Sequence, residues 1–418
     1  MIESLSHLTY TKKETNVIIL LYYKGSAYMD YSFDEVIDRK DSLGIKWNNL
    51  GQLFGSEEVL PMWVADMDYA NPQPILDSLQ QVLDSRILGY TAPPDSLYNA
   101  IIHWQKERHQ MALTKDEILF SPGVVPSIAL IIQALTNEQD AIMIHDPVYT
   151  PFSTMIQLNK RRCIRSTLLI ENNQFKMDFE EIEKQLFEEQ VKLFILCNPQ
   201  NPGGRVWSKQ ELITLADLCK KYDVLMISDE IHGDLIFSPH QFTSLVTLKP
   251  SYQNFVITLS AATKTFNIAG VKLSMIYVQN PTLYKQINHY QECIEHSGLN
   301  TFGYVATETA FTQCGPWLEH LLETLSENLA MISNFFDHEL PQVTYMKPQG
   351  TYLFWFDCSS LGLTDEELMN RFIHVGKIAL NSGVAYGPGG SQYMRLNFAA
   401  PKVLLQEGLK RIKLTFER

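Results

Sequence analysis

Cysteine is scarce and scattered: the six along 418 residues, Cys163, Cys197, Cys219, Cys293, Cys314 and Cys358, stand singly with no CxxC pair. That spacing excludes a disulfide framework and a zinc knuckle, and a reducing cytoplasm is the expected setting. Positive charge is also short. Thirty-four Lys plus Arg against forty-seven Asp plus Glu leave a net charge of -13, which argues against a nucleic-acid or anionic-membrane partner. Long apolar runs are missing too. "VIILLYY" (17 to 23) is too short to span a bilayer and lacks a cleavage pattern, so neither export nor anchoring is expected. No internal repeat or low-complexity tract organises the chain.

What is present is the composition of an ordinary soluble globular protein, 45% hydrophobic, 11% aromatic and 19% charged, on a chain long enough for two or three domains. Between about residues 117 and 280, short apolar runs alternate with amphipathic ones. "AIMIH" (141 to 145), "VKLFILC" (191 to 197), "VLMIS" (224 to 228) and "FVITLS" (255 to 260) read as buried parallel strands of an α/β sheet. "SKQELITLADLCKKYD", with Ser208 and Glu211 in capping-box spacing and lysines at its end, reads as a crossover helix. The last hundred residues change pattern: a helix near 317 to 339, an extended pair around "KPQG", and an amphipathic segment after Pro401 predict a smaller α+β domain. The expected division is 1–28 as an N-terminal extension or a misassigned start before Met29, 29–60 as the first part of the small domain, 61–310 as the large domain, and 311–418 as the rest of the small one.

In an open parallel sheet, ligand groups gather beyond the carboxyl ends of the strands. "NPQNPGGR" with Asn201 follows one strand, Asp229 and His232 follow the next, and Lys264 in "SAATKTFNIAGVK" follows a third. Singly, each has an ordinary explanation as a turn, a surface acid or a surface lysine. Together they deliver an amide, a carboxylate and an amine to one edge. Lysine forms a Schiff base with an aldehyde, aspartate keeps a pyridine nitrogen protonated and asparagine hydrogen-bonds a phenolic oxygen, which are the needs of pyridoxal 5'-phosphate. Its phosphate needs amide donors and a cation. "SPGVVPSIALIIQAL" runs a glycine turn into a helix, so the amides near Gly123, Val124 and Val125 are candidates, with Lys272 for charge and the hydroxyls of Ser260 and Thr263 as further donors. Tyr149 in "DPVYTPF" is placed to stack on the pyridine ring.

The ordered motifs "LPMWVADMDYANP" (60 to 72), "GYT" (89 to 91), "SPGVVPS", "DPVYTPF", "NPQNPGGRVW", "SDEIHGDL", "TKTFNIAG" and "YMRLNFA" resemble the pyridoxal-phosphate-dependent carbon–sulfur β-lyases of the cystathionine β-lyase type. These lie within the aspartate aminotransferase-like fold type I, a mostly parallel α/β large domain with a smaller α+β domain. The resemblance runs from about Met29 to the C-terminus. It implies that Lys264 carries the Schiff base, Asp229 partners the pyridinium, Asn201 binds the 3-oxygen, and Tyr149 stacks on the ring. It also implies that Tyr90 reaches the phosphate in a neighbouring subunit, making a homodimer with shared sites. Arg395 would grip the substrate α-carboxylate, with Ala65, Tyr149 and Asn201 beside the amino-acid substrate.

Two positions depart from the aminotransferase pattern: His232 stands where those enzymes usually have tyrosine, and Lys272 where many have arginine. Both fit the β-lyase branch. On that reading the freed amine of Lys264 takes the α-proton, the β-thiolate leaves, and pyruvate and ammonia follow; L-cystathionine would give homocysteine. An aminotransferase with the same cofactor stays open as a rival, as does a protein whose cofactor site is secondary to a regulatory, protein-binding role.

Overall fold

Seven strands build the main sheet: β1 (Ile118–Ser121), β2 (Ala141–Asp146), β3 (Arg162–Thr167), β4 (Val191–Cys197), β5 (Leu225–Asp229), β6 (Val256–Ser260) and β7 (Ser274–Tyr277). Their order is β1-β7-β6-β5-β4-β2-β3. The four strands read from apolar runs, β2, β4, β5 and β6, are mutually parallel, as is the edge strand β3. β7 runs antiparallel to both neighbours, an inversion that periodicity does not report. The computed structural model describes residues 31–40, 42–296 and 298–417, of which 33–417 lie in one compact unit. The expected extension 1–28 and the start at Met29 lie outside the described residues.

Burial explains the continuous apolar character of the central strands. Every residue of β2 is buried, as is every residue of β4 except Lys192, because helices cover both faces of a parallel sheet. Helix α1 (Val124–Leu135) packs its Ile128, Ile131 and Ile132 into this core with Ile142, Ile195 and Ile257 of the strands. Helix α2 (Lys209–Lys221) begins as read: the Glu211 amide donates to Ser208 Oγ at 3.2 Å, the Ser208 amide donates to Glu211 Oε2 at 2.8 Å, and Lys220 and Lys221 close its last turn. Such a cap is worth about 1 kcal/mol. A four-residue helix, α3 (Ala262–Thr265), follows β6 and carries Lys264.

A second, antiparallel sheet has the order β8-β9-β11-β10, with β8 (Tyr345–Met346), β9 (Leu353–Asp357), β10 (Asn381–Ser382) and β11 (Tyr393–Asn397). The long helix α4 (Gly315–Glu339) meets it through Phe336, whose ring lies 5.1 Å from those of Phe354 and Phe356, and α5 (Lys402–Phe416) packs beside α4. Near the N-terminal end of the described chain, Leu60–Pro61 pairs in parallel with Ile378–Ala379, and the backbone then continues into the segment 63–69. No helix among the described residues is long and apolar enough to cross a membrane.

Candidate active site

The carboxyl end of β5, the central strand, is level with Cys197 of β4 and Leu259 of β6 through Asp229. The loops that leave these three strands therefore open on one side of the sheet. They form a cavity of about 360 Å³ whose wall includes Asn201, Asp229, His232, Thr263, Lys264 and Lys272. Gly123, Val124 and Val125 at the start of α1 join them, with Tyr149 from the turn after β2, Ala65 from the N-terminal segment and Arg395 from β11. Two expected residues are not on this wall: Ser260 ends β6 just before it, and the Tyr90 side chain projects entirely into solvent.

The amides that open α1 have no partner within the helix, as at any helix start. Gly123 is its N-cap, and the helix buries its apolar face behind them. Lys272 supplies a cation on the same wall, on a residue in the left-handed region at φ +54°. Free amides at a helix start and a cation on the same wall are groups that could hold an anion.

At the sheet, Asp229 is buried, and desolvation raises its carboxyl to about 7; the Ile231 amide, donating to Oδ1 at 3.2 Å, opposes the rise. Burial likewise brings the Lys264 amine down to about 8, helped by Arg395 and Lys272 and opposed by Asp66 and Asp229. The amine donates to the Ala65 carbonyl at 2.5 Å. His232 is buried with its imidazole pushed down to about 3, by desolvation first and then by the Lys264 and Arg395 charges. It is thus a neutral ring near neutral pH, set edge-on to Tyr352 with centroids 5.8 Å apart. Burial raises the Tyr149 phenol to about 12, and nearby Asp229 adds to the rise.

Arg395 is only 3% exposed, yet each of its hydrogen bonds goes to a neutral acceptor. Nη1 donates to Asn201 Oδ1 at 3.2 Å, and Nη2 donates to the Trp63 carbonyl at 2.6 Å and to Asn381 Oδ1 at 2.9 Å. Its Nε has no hydrogen-bond partner among the described residues, and its guanidinium carbon lies 5.1 Å from the centre of the Tyr386 ring. Among the described residues no carboxylate pairs with it. A buried cation without a counter-charge is costly, so this site favours an anionic ligand group.

Several residues of the wall were not legible from sequence. Trp63, Asn381 and Tyr386 line the cavity. Tyr386 arrives on the loop "NSGVAYGPGG" (381 to 390), whose glycines were the available signal. This loop settles on the turn after β2: the Val148 amide donates to the Tyr386 carbonyl at 3.0 Å and the Gly389 amide to Asp146 Oδ2 at 3.2 Å. At Gly387, with φ +126°, any side chain would collide with the Asp146 carboxylate. The turn carrying Asn201 is fixed similarly: Gln200 Nε2 donates to the Pro147 carbonyl at 2.9 Å, while the Gly203 amide donates to Gln200 Oε1 at 2.7 Å.

The family model for aminotransferase class I and II matches residues 57–412. Cystathionine beta-lyase PatB of Bacillus subtilis is 40% identical over 382 residues, covering 91% of this chain and 99% of that protein. Among solved structures, cystalysin from Treponema denticola, which contains a pyridoxal 5'-phosphate cofactor, superposes with a TM-score of 0.90 at 32% identity, covering 93% of this chain and 99% of its own. The pyridoxal-phosphate-bound C-S lyase from Staphylococcus hominis gives a TM-score of 0.88 at 31% identity, covering 94% and 99%.

Proposed function

We propose that this chain, which belongs to the aminotransferase class I and II family, is a pyridoxal-phosphate-dependent carbon–sulfur β-lyase that cleaves L-cystathionine or related cysteine thioethers to a thiol, pyruvate and ammonia. The observation that carries the reading is the convergence on one cavity of Lys264, Asp229, Asn201 and Arg395, with which no carboxylate among the described residues pairs.

The residues fit the cofactor. Lys264 would hold its aldehyde carbon, Asp229 its ring nitrogen, Asn201 its phenolic oxygen, and the amides of Gly123 to Val125 with Lys272 its phosphate. Thr263 stands on the same wall, with Ser260 just before it, and Tyr149 would cover the ring. Pyridoxal phosphate, when bound, supplies an electrophilic carbon for the substrate nitrogen and a ring that takes up the electron pair left at Cα. Desolvation brings the Lys264 amine down to about 8, so that a large fraction is neutral near that pH, which suits it to accept the α-proton once the substrate has displaced it. The Arg395 guanidinium would turn one edge to the α-carboxylate, a planar fork meeting a planar anion. Neutral His232 adds no charge beside Asp229.

In this reading residues 61–310 form the large domain and 311–418, with 29–60, the smaller one that brings Arg395. The active unit is a homodimer in which Tyr90 completes the partner's site. Its full exposure, beside Ile87 at 79% and Leu88 at 61%, supports a covering partner. The six free cysteines support a reducing, cytoplasmic setting. A panel of L-cystathionine, cystine, cysteine and S-alkylcysteines, assayed with the cofactor-loaded chain for thiol release, tests the reading. Turnover of a thioether is the expected result; transfer of amino groups to an oxo acid with no thiol release would replace it by an aminotransferase.

A further inference from the structure

From Trp63 to Tyr69 the chain bears no regular structure, yet side chains from distant elements hold its carbonyl oxygens. Arg395 Nη2 takes that of Trp63 at 2.6 Å. Lys264 Nζ and the Tyr352 hydroxyl donate to that of Ala65 at 2.5 and 3.0 Å. Asn267 Nδ2 donates to those of Met67 and Tyr69 at 3.0 and 3.2 Å. Between the first two contacts the backbone makes a three-residue turn centred on Ala65, in which the Asp66 amide donates to the Val64 carbonyl at 2.9 Å. Asn397 spans this turn. Its Nδ2 donates to the carbonyls of both flanking residues, Val64 and Asp66, at 2.6 Å each. Its Oδ1 is occupied by the Ala399 amide at 2.9 Å, which fixes the orientation of the amide, and the side chain is buried. Asn397 also stands two residues after Arg395 on β11, so one strand supplies both the guanidinium and the brace.

We propose that Asn397 is a positioning residue: by bracing the turn centred on Ala65 it holds the Ala65 carbonyl against the Lys264 amine, and so keeps that amine in register with Arg395. The inference rests on the roles given to Lys264 and Arg395 above. Asn397 is not on the cavity wall and would act through the segment 63–66. The Ala65 carbonyl then serves as the acceptor on which the displaced amine rests while it is available to the α-proton.

The sign of one titration separates this role from simple support of the loop. A carbonyl acceptor stabilises an ammonium more than a neutral amine. With the site still dry, losing that contact lowers the Lys264 midpoint. Opening the site to water raises it toward ordinary lysine. The charged groups that share the site are Asp66 and Asp229, which favour the ammonium, and Arg395 and Lys272, which oppose it; His232 and Tyr149 stay neutral across the range.

The test is competitive acetylation across a pH series on the full-length chain stripped of cofactor, quantified by mass spectrometry on the Lys264 peptide. Asn397→Ala is expected to move the midpoint down by about half to one pH unit, the size of one hydrogen bond. Asn267→Gly is the second variant. Glycine accepts the φ of +56° at that position, so the change removes the bonds to Met67 and Tyr69 without backbone strain, and a smaller downward shift is expected. An unchanged midpoint, or an upward one, in Asn397→Ala overturns the proposal, and so does a downward shift in Asn267→Gly as large as that in Asn397→Ala, since the brace would then not belong to Asn397. Because the measurement needs neither cofactor nor turnover, its outcome is independent of whether thioethers are substrates.

Discussion

The side-chain oxygen of Asn201 accepts from the guanidinium of Arg395 at 3.2 Å, although 194 residues separate them. One residue belongs to the turn after β4 and the other to β11, so a single contact joins the face assigned to the cofactor with the group assigned to the substrate. That partner is neutral, and among the described residues no carboxylate pairs with Arg395, so an anionic ligand group would suit this guanidinium.

Arg395→Ala is therefore expected to cut kcat/KM for every amino-acid thioether by roughly 30- to 4,000-fold, the equivalent of losing a buried charge partner at ~2 to 5 kcal/mol. The visible absorption of the loaded protein should survive, because Arg395 is not assigned to the cofactor. Steady-state kinetics and a spectrum of the same preparation check both parts. Near-normal efficiency in the variant would give the carboxylate to another residue.

Lys264→Ala should lose at least the roughly 100- to 10,000-fold that a positioned proton acceptor contributes. Borohydride treatment of the loaded wild type, followed by peptide mass spectrometry, should find the cofactor mass on the peptide containing Lys264, and the variant should show none. A label on a different lysine would remove Lys264 from its role.

Asp229 gives a pH signature in the cofactor-free chain. Its carboxyl rises from 3.8 to about 7 through burial. Between those values the folded chain binds a proton that the unfolded chain has released, so this group's contribution to stability falls as pH rises through the window. Asp229→Asn removes that dependence. The variant should gain in melting temperature relative to wild type from about pH 4 upward and level off above about pH 7. A difference that stays constant over that range would contradict the burial argument.

Tyr90 and its apolar neighbours should be covered by a second copy. Sedimentation velocity on the wild type is expected to show a dimer, and Tyr90→Asp to weaken it and reduce turnover. A fully active monomer would sink the shared-site arrangement.

Much of this architecture could be read before the structure because the signals are local. β4 from Leu193 on and β5 through Ile227 are apolar since both faces are covered, and the ends of those strands locate Asn201 and Asp229. α2 was legible from Ser208 and Glu211 because a capping box is complete within four residues. β7 was harder: an inverted strand has the same apolar pattern as a parallel one. Asn397, Asn381 and Tyr386 were silent for another reason. Their places depend on a sheet and a glycine loop docking across the site, contacts such as that of Gly389 with Asp146, 243 residues away, which no local period records. Ser260 shows the converse: proximity in sequence to Lys264 did not put it on the cavity wall.

The central claim is β-elimination at this cavity, and the most direct measurement is the stoichiometry of products from L-cystathionine with the loaded protein and no oxo acid present. Thiol and pyruvate should appear together in equal amounts, many times per active site, with ammonia matching both. Amino-group transfer that stops after one turnover per site until an oxo acid is supplied, with no thiol released, would contradict it.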